Sequence, residues 1–319
     1  MTYEEMYPGL IRVTGKSNGN GIANSAFIII DRKIAVIDTG SKGELWREVI
    51  DAIKKSGKDP KKDVSYILLT HEHLDHFGSA FDLKSATGGK IYIHGTGAEA
   101  LRDPSTLATK HFNVFGESSA ETRKLKSTFG KIAPINPDSI LLGGEKLDLG
   151  FSTLTVIHSG GHCGGHVMYY DDYRRAVFAG DEVIEVPSNP GKYVIDLTGS
   201  AERKEIILNR LLELRIDLLV PSHDAPYSGG NIKEQVNRAV DAHEIWKKEV
   251  YETVSQLGEA KTQQVANMIE KSLNLGWSGE LKSVATALTT SAYLKMLSSK
   301  GQVQESEDEK AEEKKWTVS

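Results

Sequence analysis

Short apolar runs recur along the first two thirds of the chain, separated by polar and glycine-rich turns. Runs of that length predict strands. They fall at Leu10–Thr14, Ala26–Ile30 and Ile34–Ile37, with Asp31-Arg32 as the turn between the last two. Val64–Leu69, Lys90–His94, Ser139–Leu142, Lys146–Leu149 and Leu154–Ile157 follow, with Gly143-Gly144 as a hairpin turn. Val167–Tyr170 and Ala176–Ala179 flank Asp171-Asp172, and Asp217–Val220 comes last. Between the strands, Leu45, Val49, Ile50 and Ile53 recur at helical spacing and predict a helix over Glu44–Lys55. Helices are also predicted at Gly78–Ala86 and Glu202–Leu214.

Beyond residue 230 the pattern is helical over Asn231–Leu257, Lys261–Leu273 and Leu281–Ser299, with Gly276-Trp-Ser-Gly279 before the last. Strands alternating with helices, and then helices alone, predict an α/β domain over 1–230 and a small helical domain over 231–300. Residues 301–319 are highly charged and are expected to form a disordered tail. Ser105–Pro134 breaks the alternation with a mixture of basic and aromatic residues that includes His111, Phe112, Phe115 and Phe129. An insertion of that kind is either a lid over a site, or a surface excursion or dimer contact.

The strand Val64–Leu69 ends in Thr70-His71-Glu72-His73-Leu74-Asp75-His76. Desolvating so many polar groups at the end of a core strand is costly unless a partner such as a cation meets them. In an extended segment His71, His73 and Asp75 share one side. Asp75 suits the N-cap of a helix starting near Phe77, which turns His76 toward a second position. Imidazole and carboxylate donors suit zinc, and iron or manganese less exclusively.

Other strand ends carry similar groups. Asp38 follows the third strand, as either an orienting partner of a ligand or a turn residue. His158, His162 and His166 sit in a loop with four glycines, and spacing alone does not choose among them. Asp181 follows Phe178-Ala-Gly180, and His223 follows Pro221-Ser222. His94 reads as structural, and Cys163 as a small packing residue.

Together these motifs resemble the metallo-β-lactamase superfamily: His71-Glu-His73-Leu-Asp75-His76, then Gly161-His162, Gly180-Asp181 and Pro221-Ser-His223. The resemblance implies a four-layer αβ/βα sandwich with two facing sheets and helices outside. It implies that His71, His73 and His162 hold one metal, that Asp75, His76 and His223 hold a second, and that Asp181 bridges both. It leaves His158 and His166 as flanking residues. The implied enzyme is a hydrolase that uses a metal-bridging hydroxide, with Asp75 and Asp181 as catalytic carboxylates. The helical region after the core resembles the winged-helix-like domain of one subgroup.

The implied substrate is a small ester, thioester or lactone. A phosphodiesterase or ribonuclease and a mononuclear iron persulfide dioxygenase share the ligand pattern. A lactonase would be expected to place a tyrosine where Ile184 stands, although Tyr193 is close in sequence. The net charge of −5 provides no general attraction for nucleic acid, so a small-molecule substrate is expected, with a homodimer as the open alternative for assembly. The acidic N-terminus lacks a signal-peptide core, no apolar run is long enough to span a bilayer, and the lone Cys163 forms no intrachain disulfide. A cytoplasmic protein is the expectation.

Overall fold

The computed structural model describes residues 2–15, 25–110, 112, 119–183, 198–273, 275, 282–306 and 315–319. These divide into two units. The first holds 1–159, 165–181 and 215–232, and the second 160–164, 182–214 and 233–319. The division therefore departs from a single boundary near residue 230.

The first unit contains two sheets. One has seven strands in chain order: β1 (Thr2–Tyr7), β2 (Leu10–Thr14), β3 (Ser25–Ile29), β4 (Ile34–Ile37), β5 (Val64–Leu68), β6 (Lys90–His94) and β7 (Ser139–Leu141). β1 to β4 are antiparallel, and β4 to β7 run parallel. Parallel neighbours need crossovers. These are supplied by α1 (Leu45–Lys55) and α2 (Pro60–Asp63), by α3 (Leu74–Phe77) and α4 (Ala80–Thr87), and by α5 (Ala98–Arg102), α6 (Leu107–Lys110) and α7 (Ala120–Phe129).

The second sheet runs β13 (Tyr227–Ser228), β12 (Leu218–Pro221), β11 (Ala176–Gly180), β10 (Val167–Asp171), β9 (Thr153–His158) and β8 (Lys146–Asp148). Its β11–β12 pair is parallel, and the others are antiparallel.

β4 is buried at every position, as expected of a strand covered on both faces. Ile34 and Val36 pack with Val49, Ile53 and Leu83 of the helices. Ala35 and Ile37 pack with Val156, Tyr169, Phe178 and Val220 of the second sheet. The layers of this unit are thus helices, sheet, sheet. Much of the 105–134 segment belongs to this core, because Leu107, Ala108, Phe129 and Ile132 are buried in it. His111 and Phe115 lie outside the described residues.

The motif helix begins earlier than expected. α3 starts at Leu74, with His73 at its N-cap and Asp75 inside its first turn. The capping role assigned to Asp75 therefore does not hold. The extended backbone of His73, at ψ 147°, is what ends the strand-like segment.

The second unit holds α8 (Ala201–Glu213), most of α9 (Gly230–Leu257), β14 (Glu259–Lys261), α10 (Thr262–Ser272), α11 (Lys282–Ser299), β15 (Val303–Glu305) and β16 (Lys315–Val318). The three strands form a sheet in the order β14-β16-β15. Helix, strand, two helices and a terminal hairpin make up a winged-helix layout. The expected disordered tail is therefore corrected on both sides of 307–314, which lie outside the described residues. Trp316 is buried with Val303, and its indole N–H donates to Thr262 Oγ1 at 3.0 Å. Charge composition hid these strands, whose anchoring rests on Val303, Trp316 and the partly buried Val318.

Candidate metal centre

β4 and β5 run parallel, as do β11 and β12, so each pair delivers its carboxyl ends to one edge. Asp38 follows β4, the 69–76 segment follows β5, Asp181 follows β11, and His223 lies two residues past β12. Loops at strand ends on one edge can assemble a site from distant sequence.

They do so here around a single oxygen. Asp181 Oδ2 lies 3.2 Å from His223 Nε2, 3.3 Å from His76 Nε2 and 3.9 Å from His71 Nε2. Asp75 Oδ2 lies 3.5 Å from His223 Nε2 and 3.8 Å from His76 Nε2. His71, His76 and Asp181 offer ligand atoms within 4.8 Å of one another, and so do Asp75, His76 and His223. The His73 ring stands edge-on to His71, 4.5 Å between centroids. His71 and His76 are buried, whereas Asp75 keeps 40% of its side chain exposed.

The hydrogen bonds behind the ring set its tautomers. Asp38 has φ +58°, a left-handed backbone uncommon for a side-chain-bearing residue. Its Oδ2 is 2.8 Å from His76 Nδ1, and its Oδ1 accepts from the Thr70 N–H at 2.8 Å. The Thr70 hydroxyl donates to Asp38 Oδ2 at 2.8 Å and sits 3.0 Å from His71 Nδ1. Protons on both Nδ1 atoms satisfy this chain and turn both Nε2 lone pairs toward Asp181. Asp38 therefore orients the His76 ring and, through Thr70, that of His71; it is not merely a turn residue.

His166 has a different role. Its Nε2 accepts from the Asp181 backbone N–H at 3.0 Å, and its Nδ1 pairs with Ser159 Oγ at 2.7 Å. Both ring nitrogens are engaged, so His166 holds Asp181 in place and is no ligand. A Cβ on Gly180 would lie 2.3 Å from that Nε2, and Gly180 has φ +53°, so glycine is required there. His158 stacks on His94 at 4.1 Å. His162 lies in the loop between β9 and β10, and its segment groups with the second unit. Cys163 beside it is buried. Ile184 and Tyr193 lie outside the described residues.

The charges show what the cage wants. Burial works against a charge on His76, yet Asp181, Asp75 and Asp38 outweigh it and raise its pKa well above the ordinary imidazole value. Burial likewise opposes a charge on His223, but Asp181 and Asp75 push its pKa up to about 9. Burial alone would raise Asp181, but His76 and His223 hold it well below the usual carboxylate range. His73, dominated by burial, falls to about 4. The carboxylates thus demand positive charge among the imidazoles. Protons can supply it, and a divalent cation supplies it with better geometry. Nitrogen and oxygen donors converging on a shared carboxylate fit such an ion in kind and spacing.

The sequence pointed to His71, His73, Asp75, His76, Asp181 and His223 but not to the tautomer-setting role of Thr70 or the support of Asp181 by His166. The Thr-His step after an apolar strand was the available signal for the first. No local signal exists for the second.

A family model described as "Metallo-beta-lactamase superfamily" matches residues 18–223. The human "Acyl-coenzyme A thioesterase MBLAC2" is 26% identical over 204 residues, covering 59% of this chain and 68% of that protein; 54% of its bovine counterpart is covered. The "Probable metallo-hydrolase YqgX" of Bacillus subtilis (strain 168) is 28% identical over 207 residues, 65% of this chain and 84% of that protein. The crystal structure of the "metallo-beta-lactamase family protein TTHA1429" from Thermus thermophilus superposes with a TM-score of 0.75 at 19% identity, over 99% of this chain and 100% of that one. That likeness spans the winged-helix region as well as the core. With an Asp181-centred cage at the carboxyl ends of two packed sheets and a family match over most of that core, the chain belongs to the metallo-β-lactamase superfamily of hydrolases.

Proposed function

We propose that the protein hydrolyses acyl thioesters, with two divalent cations held on either side of Asp181. The observation that carries this reading is the convergence of His71, His76 and His223 on Asp181 Oδ2 within 3.9 Å. In this reading His71 and His73, joined by His162, would hold one ion, Asp75, His76 and His223 would hold the other, and Asp181 would be shared between them. Zinc is the proposed ion because imidazole and carboxylate donors suit it, with iron and manganese next.

Bound cations of this kind polarise a carbonyl and lower the pKa of a bound water. The remaining work falls to the chain. Asp38 and Thr70 keep the imidazole lone pairs aimed inward, so little reorganisation is needed when substrate arrives. His166 fixes the Asp181 backbone. Asp75 is the exposed member of the cage, placed to take a proton from water and pass it to the departing thiolate. Phe112, its ring 5.4 Å from His73, offers an apolar wall for an acyl chain. The thioester is favoured over other acyl bonds because a curated relative carries a thioesterase name.

A panel of acyl-coenzyme A thioesters, p-nitrophenyl esters, lactones and bis-p-nitrophenyl phosphate, with zinc-loaded and chelator-stripped protein, tests this. Metal-dependent release of free thiol, faster than turnover of the other substrates, is expected. Preferential cleavage of the phosphodiester, or turnover that survives chelation, refutes the reading.

A further inference from the structure

The residue after Asp181 is itself a buried acid. Glu182 is 1% exposed and Lys204 of α8 is 3% exposed, and they pair at 2.9 Å between Oε2 and Nζ. Neither belongs to the cage of ligands. Burying two such charges costs more in desolvation than it returns, unless further hydrogen bonds satisfy them. Here they do. Glu182 Oε1 accepts from two successive backbone N–H groups, those of Gly161 and His162, each at 3.1 Å.

The peptide that follows His162 is held as well. The His162 carbonyl accepts from the Thr198 N–H at 2.8 Å and the Gly199 N–H at 3.1 Å. The packing leaves no slack. A Cβ on Gly161 would lie 2.7 Å from Glu182 Oε2 and 2.9 Å from Lys204 Cα. One on Gly199 would lie 2.5 Å from the Gly161 carbonyl oxygen.

A hydrophobic pair of similar volume is often as stable as a buried ion pair. What leucine and methionine cannot do is grip two consecutive N–H groups and fix the direction of the residue between them. We infer that Glu182, charged and held by Lys204, is a positioning residue that sets the pose of His162 for cation binding. The adjacent pair Asp181-Glu182 then has two roles: one carboxylate belongs to the cage, and the next fixes the loop that carries His162. This inference rests on the reading of His162 as a ligand.

Zinc affinity by chelator competition tests it, on the full-length protein. Its variants are Glu182→Leu/Lys204→Met, Glu182→Gln, Gly161→Ala and His162→Ala. Removing groups that orient a metal ligand costs about 10- to 100-fold in affinity. In the double variant one of two zinc-binding steps is expected to weaken by that factor while the other stays put, and its unfolding temperature falls because two buried N–H groups lose their acceptor. Glu182→Gln retains an acceptor oxygen for both N–H groups and is expected to lose less. Gly161→Ala leaves both charges in place but pushes the carboxylate off the loop, so it should weaken the same step even if the double variant fails to fold. Lost turnover should return at excess zinc with KM unchanged. If His162→Ala weakens one step while the double variant and Gly161→Ala bind zinc as wild type does, the positioning role is overturned and the ligand assignment stands. If His162→Ala itself binds zinc normally, the ligand assignment falls, and this inference with it.

Discussion

Replacing Asp38 with asparagine isolates the effect of ligand orientation from that of ligand identity. Asparagine tolerates the left-handed backbone that Asp38 adopts at φ +58°, so the chain path should persist. The side-chain oxygen can still accept from the Thr70 N–H, now 2.8 Å from Oδ1. The amide nitrogen then faces His76 Nδ1, which lies 2.8 Å from Oδ2. Two donors cannot face each other, so the ring must surrender its Nδ1 proton and carry one on Nε2. That proton points at Asp181, where the lone pair is needed. Losing such a partner costs about 10- to 100-fold in metal affinity, or about 1.4–2.8 kcal/mol. A buried hydrogen bond to a charged group also contributes about 1.5–3 kcal/mol to folding. A fall in Tm of about 5–10 °C is therefore expected for the metal-free protein. Chelator-competition titration and thermal unfolding read the two effects separately. Wild-type zinc affinity in Asp38→Asn, with the fold intact, would refute the tautomer argument.

Three further substitutions probe other parts of the structure. His73→Ala should abolish metal-dependent hydrolysis and lower bound metal while far-ultraviolet dichroism stays unchanged; turnover in the metal-stripped variant would refute the proposed mechanism. Phe112→Ala should raise KM for a long-chain acyl thioester about tenfold, the worth of one buried apolar side chain, and leave bound metal unchanged; an unchanged KM removes Phe112 from the pocket. Trp316→Ala should destabilise the protein by about 3–5 kcal/mol, with proteolysis beginning in the terminal hairpin; a loss under about 1 kcal/mol would show that the hairpin is not anchored as described.

Stability should also fall in acid through His243. Burial drives its pKa down to about 4, with Glu205 and Glu244 pulling the other way and Lys247 and Lys204 adding to the depression. Its Nδ1 meets the Tyr293 hydroxyl at 2.9 Å. Between about pH 4 and 6.5 the unfolded chain binds a proton that the folded chain excludes, so stability rises with pH across that window. The contribution is complete above about pH 6.5 and is lost toward pH 4, at most about 3 kcal/mol. Denaturation of metal-free wild type and His243→Gln, followed through tryptophan fluorescence, should show a shallower acid slope in the variant, which keeps the contribution of His73. Equal slopes would contradict the assignment.

The features legible in the sequence were those written into local pattern. β2, β4 and β6 fall where short apolar runs end in polar turns, and the His71–His76 cluster announces itself because three histidines and two acids crowd one strand end. β1 was not legible: an edge strand carrying Glu4 and Glu5 lacks an apolar run, and its ladder with β2 supplies what its sequence does not. β15 and β16 were hidden for the same reason, since the surroundings that bury Trp316 come from α10 and β14, distant in sequence. Asp75 was misread as a cap because side-chain preference is a weak guide where the backbone of His73 decides the helix start. The choice among His158, His162 and His166 could not come from spacing. It needed a partner 15 residues on, the Asp181 N–H that occupies His166. Long-range hydrogen bonds of this sort leave no trace in local periodicity.

The central claim is that Asp181 lies between two cations. Anomalous diffraction from crystals of the zinc-loaded protein tests it most directly. The account predicts two peaks about 3.5–4 Å apart flanking the Asp181 carboxylate, one on the His71–His73 side and one on the Asp75–His76–His223 side. A single peak away from Asp181, or an Asp181 carboxylate that touches no ion in a loaded crystal, would contradict it.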